Sequence, residues 1–476
     1  MKARTLLITG NGLDLKSNLK SNYKNFFNQK NKMINDIYHY DRVYDSLFVM
    51  DRKKTVKNFN EDLRKQCNDL YWLEQWIKRH YILKYKNSDK VNSEDKYDSD
   101  ENVFQFFEHI EKVLMDEDYS YWLLPHVMRQ EMSKNWNSIE KSISDYVMEI
   151  SRGKDFMGKF KLLKLAIEKR CFIKDDKSFM ENNKSFCNFN LFMIIFKEIL
   201  RNKDIIVTNA MDKEKKSNCS EKDIYDCLED EFFVTILQIN IDEFLISELN
   251  KLEDMFSNYL KYEVERKNYK NNVIKNIYNL VGMDPVDILN FNYTEYENYL
   301  KNSDIEYRVN LKDIFNIHGS ISDHVIFGID NSSNEKQEND IHVPMFTKTY
   351  RIMSKTKKAM MFETNERVSN NDISYLADQS YDVIKFFGHS LSDADYSYFQ
   401  SIFDKLDLYN SDVILEFYYS KHRKDSEYPD RDMHKVENNV FSLLSKYGET
   451  LDNKNRGNNL MHKLLVEGRL VIKELK

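Results

Sequence analysis

The feature that most constrains this chain is a short apolar run, Leu6-Leu7-Ile8, that breaks at Gly10-Asn11-Gly12 and continues into a helix-compatible stretch. An unalternating apolar run suits a strand covered on both faces. Followed by a Gly-containing turn and a helix, it is the way a doubly wound α/β domain begins. Glycines at such a turn let the backbone approach a ligand, and the helix N-terminus behind them offers N–H groups to an anion. Any sharp strand-to-helix turn favours glycine as well, so the other strand ends must decide between a ligand site and a plain turn.

Length and breakers set the organisation. With 476 residues the chain exceeds one ordinary domain, so two domains or one domain with a large insertion are expected. No glycine occurs between Gly12 and Gly153, and the first proline is Pro125, which predicts long helices in the first half. Leu15 to Asn31 reads as one helix. About Phe48 to Tyr85, Val103 to Ile173 and Leu191 to Leu200 read as further helical regions. The polar stretches 86–102, 174–185 and 212–222 read as breaks, the first of them as a mobile loop. From Asp223 to Leu280 a helical stretch carries Phe244, Leu245, Leu249, Leu252, Met255, Phe256 and Leu260 at helical spacing. Burial explains that stripe more simply than a docked partner.

At Gly282 the character changes. Apolar runs ending in polar loops recur at 286–297, 312–320, 324–330, 381–390 and 411–420, with RLVIKEL near the end as a last strand. Strands at both ends therefore enclose some two hundred mostly helical residues. The economical architecture has residues 1–45 as the first strand-turn-helix of an α/β domain, 46–282 as a mostly α-helical insertion, and 283–476 as the remainder.

Charge and cysteines narrow the function classes. Lys and Arg number 71 against 78 Asp and Glu, a net charge of −7, which argues against sequence-independent nucleic-acid binding. Five cysteines without a CxxC pair predict a reduced protein with no structural zinc. With no signal pattern and no apolar run long enough for a bilayer, a cytoplasmic protein is expected.

In an open parallel sheet, ligands bind beyond the carboxyl ends of the strands. The polar sets there are Gly10-Asn11-Gly12-Leu13-Asp14, Asn290 to Thr294 with Asn292 and Tyr293, His318-Gly319-Ser320, and Gly388-His389-Ser390 with Asp393 and Asp395. Asn11 and Asp14 suit helix caps; a functional Asp14 would instead hold a ribose hydroxyl, a metal or a water. Asn292 suits an Asx-turn or a ribose or base edge. His318 is the best general-base candidate, with His389 second, although single histidines are more often structural. Ser392 or Asp393 caps the helix that follows, placing Asp395 in its first turn. The lysine-rich segment Thr347 to Lys358 has the charge to screen a phosphate or touch nucleic acid, but such a run is usually a solvated helix face and is read as that. No HExxH and no paired Cys/His spacing point to a metal.

Taken together, GNGLDL at Gly10 to Leu15, SNYKNFF at Ser21 to Phe27, FNYT at Phe291 to Thr294, His318-Gly319 and GHSLSDAD at Gly388 to Asp395 resemble the marks of the AbiH family of bacterial abortive-infection proteins. Leu13 stands where that family usually has Phe. The family in turn resembles sirtuin-type NAD-binding domains. The resemblance implies an α/β, Rossmann-like (sirtuin-like), mostly parallel sheet with a large α-helical insertion, and an anti-phage protein that hydrolyses NAD to nicotinamide and ADP-ribose. Gly10 and Gly12 would face the pyrophosphate, Asn292 the nicotinamide ribose, and His318 would activate a water. Asn11, Asp14, Tyr293, Thr294, Gly319, Gly388, His389, Ser390 and Asp395 would complete the NAD site. Beside a diphosphate, the charge of Asp14 fits only if it points to a ribose. The cysteine quartet of deacetylating sirtuins is missing, which argues against deacetylation. Two other readings use the same residues: a metal-dependent nucleotide or nucleic-acid hydrolase with Asp14, Asp393 and Asp395 as ligands, and a non-enzymatic nucleotide-binding sensor. A phage or host protein acting as trigger on the helical insertion, and a homo-oligomer, stay open as partners.

Overall fold

The computed structural model describes residues 4–44, 47–48, 68–79, 101–123, 140, 143–145, 147, 156–168, 189–217, 221–266, 268–303, 305–329, 343–354, 380–391, 395–421, 430–451 and 454–475. The chain divides into two compact units. One comprises Met1–Phe27, Glu253–Glu335 and Phe346–Lys476, the other Asn28–Leu252 and Lys336–Met345.

The first unit is built on a six-stranded sheet: β1 (Thr5–Thr9), β2 (Pro285–Asn290), β3 (Asn310–Asn316), β4 (Val383–Phe387), β5 (Ile414–Tyr419) and β6 (Leu470–Glu474). Their order is β3-β2-β1-β4-β5-β6, with every neighbouring pair parallel. This is the strand order of a Rossmann-like doubly wound sheet, whose order reverses between β1 and β4. The expected α/β class is what the chain adopts. All five residues of β1 are buried, as a central strand with both faces covered requires. Pro285 stands at the first position of β2, where its missing N–H costs no ladder bond. Gly282, at φ +61°, ends the preceding helix Tyr269–Val281, its N–H reaching Tyr278 O at 2.7 Å.

On one face of the sheet Leu6, Ile8, Ile384, Phe386, Leu415 and Phe417 share a core with Phe399 and Phe403 of the helix Tyr396–Lys405. Leu443 and Leu444 of Arg431–Thr450, and Leu460 and Leu464 of Lys454–Val466, belong to the same core. Phe386 and Phe417 stack at 4.5 Å between centroids, tying β4 to β5. Lys385, alternating to the opposite face, bonds Leu280 O at 2.8 Å on the helix Tyr269–Val281.

The second unit is helical where described, with Asn31–Tyr44, Asn68–Ile77, Glu101–Leu114, Phe156–Glu168, Phe189–Ser217 and Glu221–Gln238. Phe107 packs against Trp76, Phe192 and Phe196 at 5.7–6.1 Å. The fully buried Glu248 pairs with Lys197 and Arg201, each at 2.7 Å, and accepts the Tyr121 N–H at 2.6 Å. Burial pulls the Lys197 ammonium down to about 8 despite that carboxylate.

Several local expectations are corrected. Leu15 to Asn31 is not one helix. The first helix spans Asn11–Lys16, Asn18 takes a left-handed φ of 68°, and a new helix starts at Tyr23. Among the described residues, 324–329 add no strand to the sheet; they make an antiparallel bridge, Gly319 to Val325, and a parallel one, Ile329 to Thr347. The polar patch from Asp212 holds the end of a helix rather than lying beyond it, the last described turn closing at Ser217 and the next helix starting at Glu221. Phe189–Ser217 reaches into the patch and is tied to the next helix by Lys213–Glu231 at 2.6 Å and by Asn209 Nδ2 to Glu231 at 3.0 Å. The helical stretch up to Leu280 consists of three helices, Glu221–Gln238, Ile241–Glu265 and Tyr269–Val281. Its apolar stripe is buried throughout: Phe244 meets Tyr121, and Phe256 meets Tyr23 and Phe26. Residues 86–100 and 174–185 lie outside the described residues. Among the described residues no helix is long and apolar enough to cross a membrane.

Because Phe386 joins β4, β5 and the helix Tyr396–Lys405, Phe386→Ala should cost about 3–5 kcal/mol. Urea denaturation of the two proteins measures it; a loss below about 1 kcal/mol would contradict this packing.

Candidate functional site

At the reversal of strand order, the loops after β1 and β4 meet backbone to backbone. Gly10 N–H donates to Phe387 O at 3.1 Å and Gly12 N–H to Gly388 O at 2.8 Å. A Cβ on Gly12 would lie 2.5 Å from Gly388 Cα, and one on Gly388, whose φ is +76°, would lie 2.4 Å from Leu13 N. These glycines are therefore fixed by the approach of two loops. The Gly12 amide, open to an anion on the sequence pattern, is committed to a carbonyl within the protein, and the helix behind it has six residues.

Neither Asn11 nor Asp14 caps that helix; Gly10 stands at the N-cap without a side-chain bond. Asp14 is buried and accepts three hydroxyls: Tyr269 at 2.6 Å and Tyr296 at 3.0 Å on Oδ1, and Thr294 at 2.8 Å on Oδ2. All three donors are uncharged. Burial outweighs them and pushes the Asp14 carboxyl up from 3.8 to about 6. Burial, with the charge of Asp14 next, in turn raises the Tyr269 and Tyr296 hydroxyls well above their ordinary value. Both oxygens of Asp14 thus serve to join three separate segments of the chain.

After β2, the Asx-turn belongs to Asn290, whose Oδ1 accepts the Asn292 N–H at 3.0 Å and the Thr9 hydroxyl at 2.9 Å. The Asn292 side chain reaches across instead. Its Nδ2 donates to Gly10 O at 2.9 Å and to Tyr296 Oη at 2.6 Å. Its Oδ1 is buried with no hydrogen-bond partner among the described residues. The Nδ2 of Asn11 is in the same condition, while its Oδ1 accepts from Ser21. A buried orphan of this kind costs about 1–3 kcal/mol. Tyr293 packs its ring on Phe256 and Phe327, with its hydroxyl 3.3 Å from that of Tyr23.

The third cluster is centred on Asp395. Asp395 stands at the N-cap of Tyr396–Lys405, not in its first turn, and makes no capping bond. Its Oδ1 lies 2.9 Å from Lys348 Nζ and 3.1 Å from His318 Nε2; its Oδ2 lies 3.1 Å from His389 Nε2. Burial alone would raise this carboxyl. The Lys348 ammonium and the imidazoles outweigh it and hold the group well below the usual carboxylate range. Phe291 stands edge-on to both rings, 5.5 Å from His318 and 4.7 Å from His389. Gly319, at φ +76°, allows the tight turn after His318, where a Cβ would collide with His324 O. Ser390 presents its carbonyl to Asn439 Nδ2 at 2.9 Å.

The structure brings Asn292 to Gly10 and Asp14, and His318 to His389 and Asp395. Ser392 and Asp393 lie outside the described residues. Over residues 347–354 the reading as a solvated face is corrected, since Lys348 and Arg351 are 4% and 3% exposed and pair with Asp395 and Glu253, while 355–358 lie outside the described residues. Tyr269, Tyr296 and Lys348 were missed as partners of the site. Tyr296 carried a faint signal, being two residues beyond the Phe291 to Thr294 motif; Lys348 lies in the basic run read as a solvated face, and Tyr269 carried no signal.

A family model described as "Bacteriophage abortive infection AbiH" matches residues 6–418. Neither a curated protein nor a solved structure matches the chain.

The environment of Asp14 predicts a pH dependence. Between pH 3.8 and about 6 the folded protein holds a proton on Asp14 that the unfolded chain releases, so this group makes stability fall as pH rises through that window. The fall should amount to about 3 kcal/mol. Asp14→Asn should flatten the slope in urea denaturation run from pH 4 to 7; an unchanged slope would contradict this account.

Proposed function

This chain belongs to the AbiH family of bacteriophage abortive infection proteins, a bacterial anti-phage defence family, and on that premise we propose that it acts by hydrolysing the N-glycosidic bond of NAD. The observation that carries the reading is the buried His318–Asp395–Lys348 arrangement at the carboxyl ends of β3 and β4. An imidazole with an ionised carboxylate 3.1 Å from one ring nitrogen suits a general base, since the carboxylate offsets the charge that a proton brings. Asn292 Oδ1 and Asn11 Nδ2, in the loops after β2 and β1, support a hydroxylated ligand. One lacks a donor and the other an acceptor, and a ribose hydroxyl supplies both.

In this reaction His318 takes a proton from water as the oxygen bonds to the anomeric carbon. The carbon–nitrogen bond breaks and its electron pair goes to the pyridinium nitrogen, which leaves as neutral nicotinamide. The leaving group needs no acid. The oxocarbenium-like transition state is positive, so it favours a site whose nearby groups carry no net positive charge. Lys348 and Asp395 offset one another and meet that condition.

A metal-dependent hydrolase using Asp14, Asp393 and Asp395 is less well supported. An ammonium sits 2.9 Å from Asp395 Oδ1, where a cation would bind, and both oxygens of Asp14 are taken by hydroxyls.

Asn292→Ala and His318→Ala should each abolish protection from phage while leaving the circular dichroism of the protein unchanged. General-base loss is worth about 10²–10⁴ in rate. Full protection by both folded variants would discard the assignment.

A further inference from the structure

We propose that Lys348 is a positioning residue of this site, and that with Asp395 and His389 it forms a fixed frame which leaves proton transfer to His318. The inference rests on the reading of His318 as the group that takes a proton.

The placement of Lys348 is built into the fold. Its N–H donates to Ile329 O at 3.0 Å, and Phe346 O accepts the Ile329 N–H at 2.9 Å. Gly328 permits this approach, because a Cβ there would lie 2.8 Å from Lys348 N. One turn later the Arg351 guanidinium grips both oxygens of Glu253 at 2.7 Å, and Glu253 also accepts the Phe327 N–H at 2.6 Å. The segment that carries Lys348 is thus tethered on both sides of it, and its ammonium is delivered to Asp395 Oδ1.

The two histidines on Asp395 differ in kind. His389 Nδ1 lies 2.9 Å from the Leu391 N–H, a group that can only donate. Nδ1 must therefore be the bare nitrogen, and the single ring proton sits on Nε2, facing Asp395 Oδ2 at 3.1 Å. A second proton on His389 would set two N–H groups against each other. Leu391 holds a left-handed φ of 55° while making this bond, a conformation that a leucine keeps only where its surroundings fix it. His389 is therefore a locked neutral donor, and His318 is the remaining imidazole on the carboxylate.

The test uses full-length protein labelled with ¹⁵N-histidine, with His389→Gln assigning the His389 signals. The wild type should show His389 with Nδ1 bare and Nε2 protonated. Lys348→Met should shift the signals of both rings and lower phage protection at least tenfold. Lys348→Arg, which keeps the charge, should recover most of both. A proton on His389 Nδ1, or wild-type spectra and protection in Lys348→Met, would overturn the proposal. If Lys348→Met fails to fold, the wild-type tautomer and the Lys348→Arg protein still decide. The tautomers are read without substrate, so absence of NAD turnover beside the expected spectra would refute the NAD reading and leave the frame standing.

Discussion

The contact on which the candidate site depends is the approach of the β1 loop to the β4 loop, where Gly10 and Gly12 meet the backbone of Gly388 and His389. No side chain fits between them. The approach gives β4 a fixed exit, so His389 and Leu391 turn back toward the sheet, and it holds the Asn11–Lys16 helix against the Asn292 loop. Asn292 then reaches Gly10 O, and Asp14 finds Tyr269, Thr294 and Tyr296. An added methyl group at these glycines would act on all of these contacts at once.

Around that contact lie two buried carboxyls in opposite electrostatic surroundings. Asp14 has hydroxyl donors only, and burial pushes it up to about 6. Asp395 has Lys348 and two imidazoles, which overcome its burial and keep it ionised. Environments that drive two titratable groups apart in this way are typical of sites that assign different roles to like residues. Here Asp14 joins segments of the chain, whereas Asp395 carries a fixed negative charge to His318 and His389. Lys348 makes that charge tolerable, since an unpaired carboxylate so deeply buried would take up a proton instead.

Much of this was legible in the sequence. Leu6 to Gly12 announced a central parallel strand and its turn, and Asn292, His318, His389 and Asp395 were marked by their places at strand ends. Asp14 was found, but its partner Tyr269 lies 255 residues away and is chosen by tertiary packing alone. Lys348 was hidden in a basic run, and composition cannot tell a solvated lysine from one that the Gly328–Ile329 backbone draws inside. The break after Lys16 was missed because Asn18 tolerates a left-handed φ that a pattern of apolar spacing does not register. Residues 324–330 have the composition of a sheet strand. Their bridges to Gly319 and Thr347 instead use them to shape the loop after His318 and to hold Lys348.

The most direct test of the central claim is the NAD content, by mass spectrometry, of bacteria expressing the wild type or His318→Ala, with and without phage. NAD should collapse in infected wild-type cells and hold steady in cells carrying His318→Ala. Unchanged NAD in infected wild-type cells that still resist the phage would contradict it.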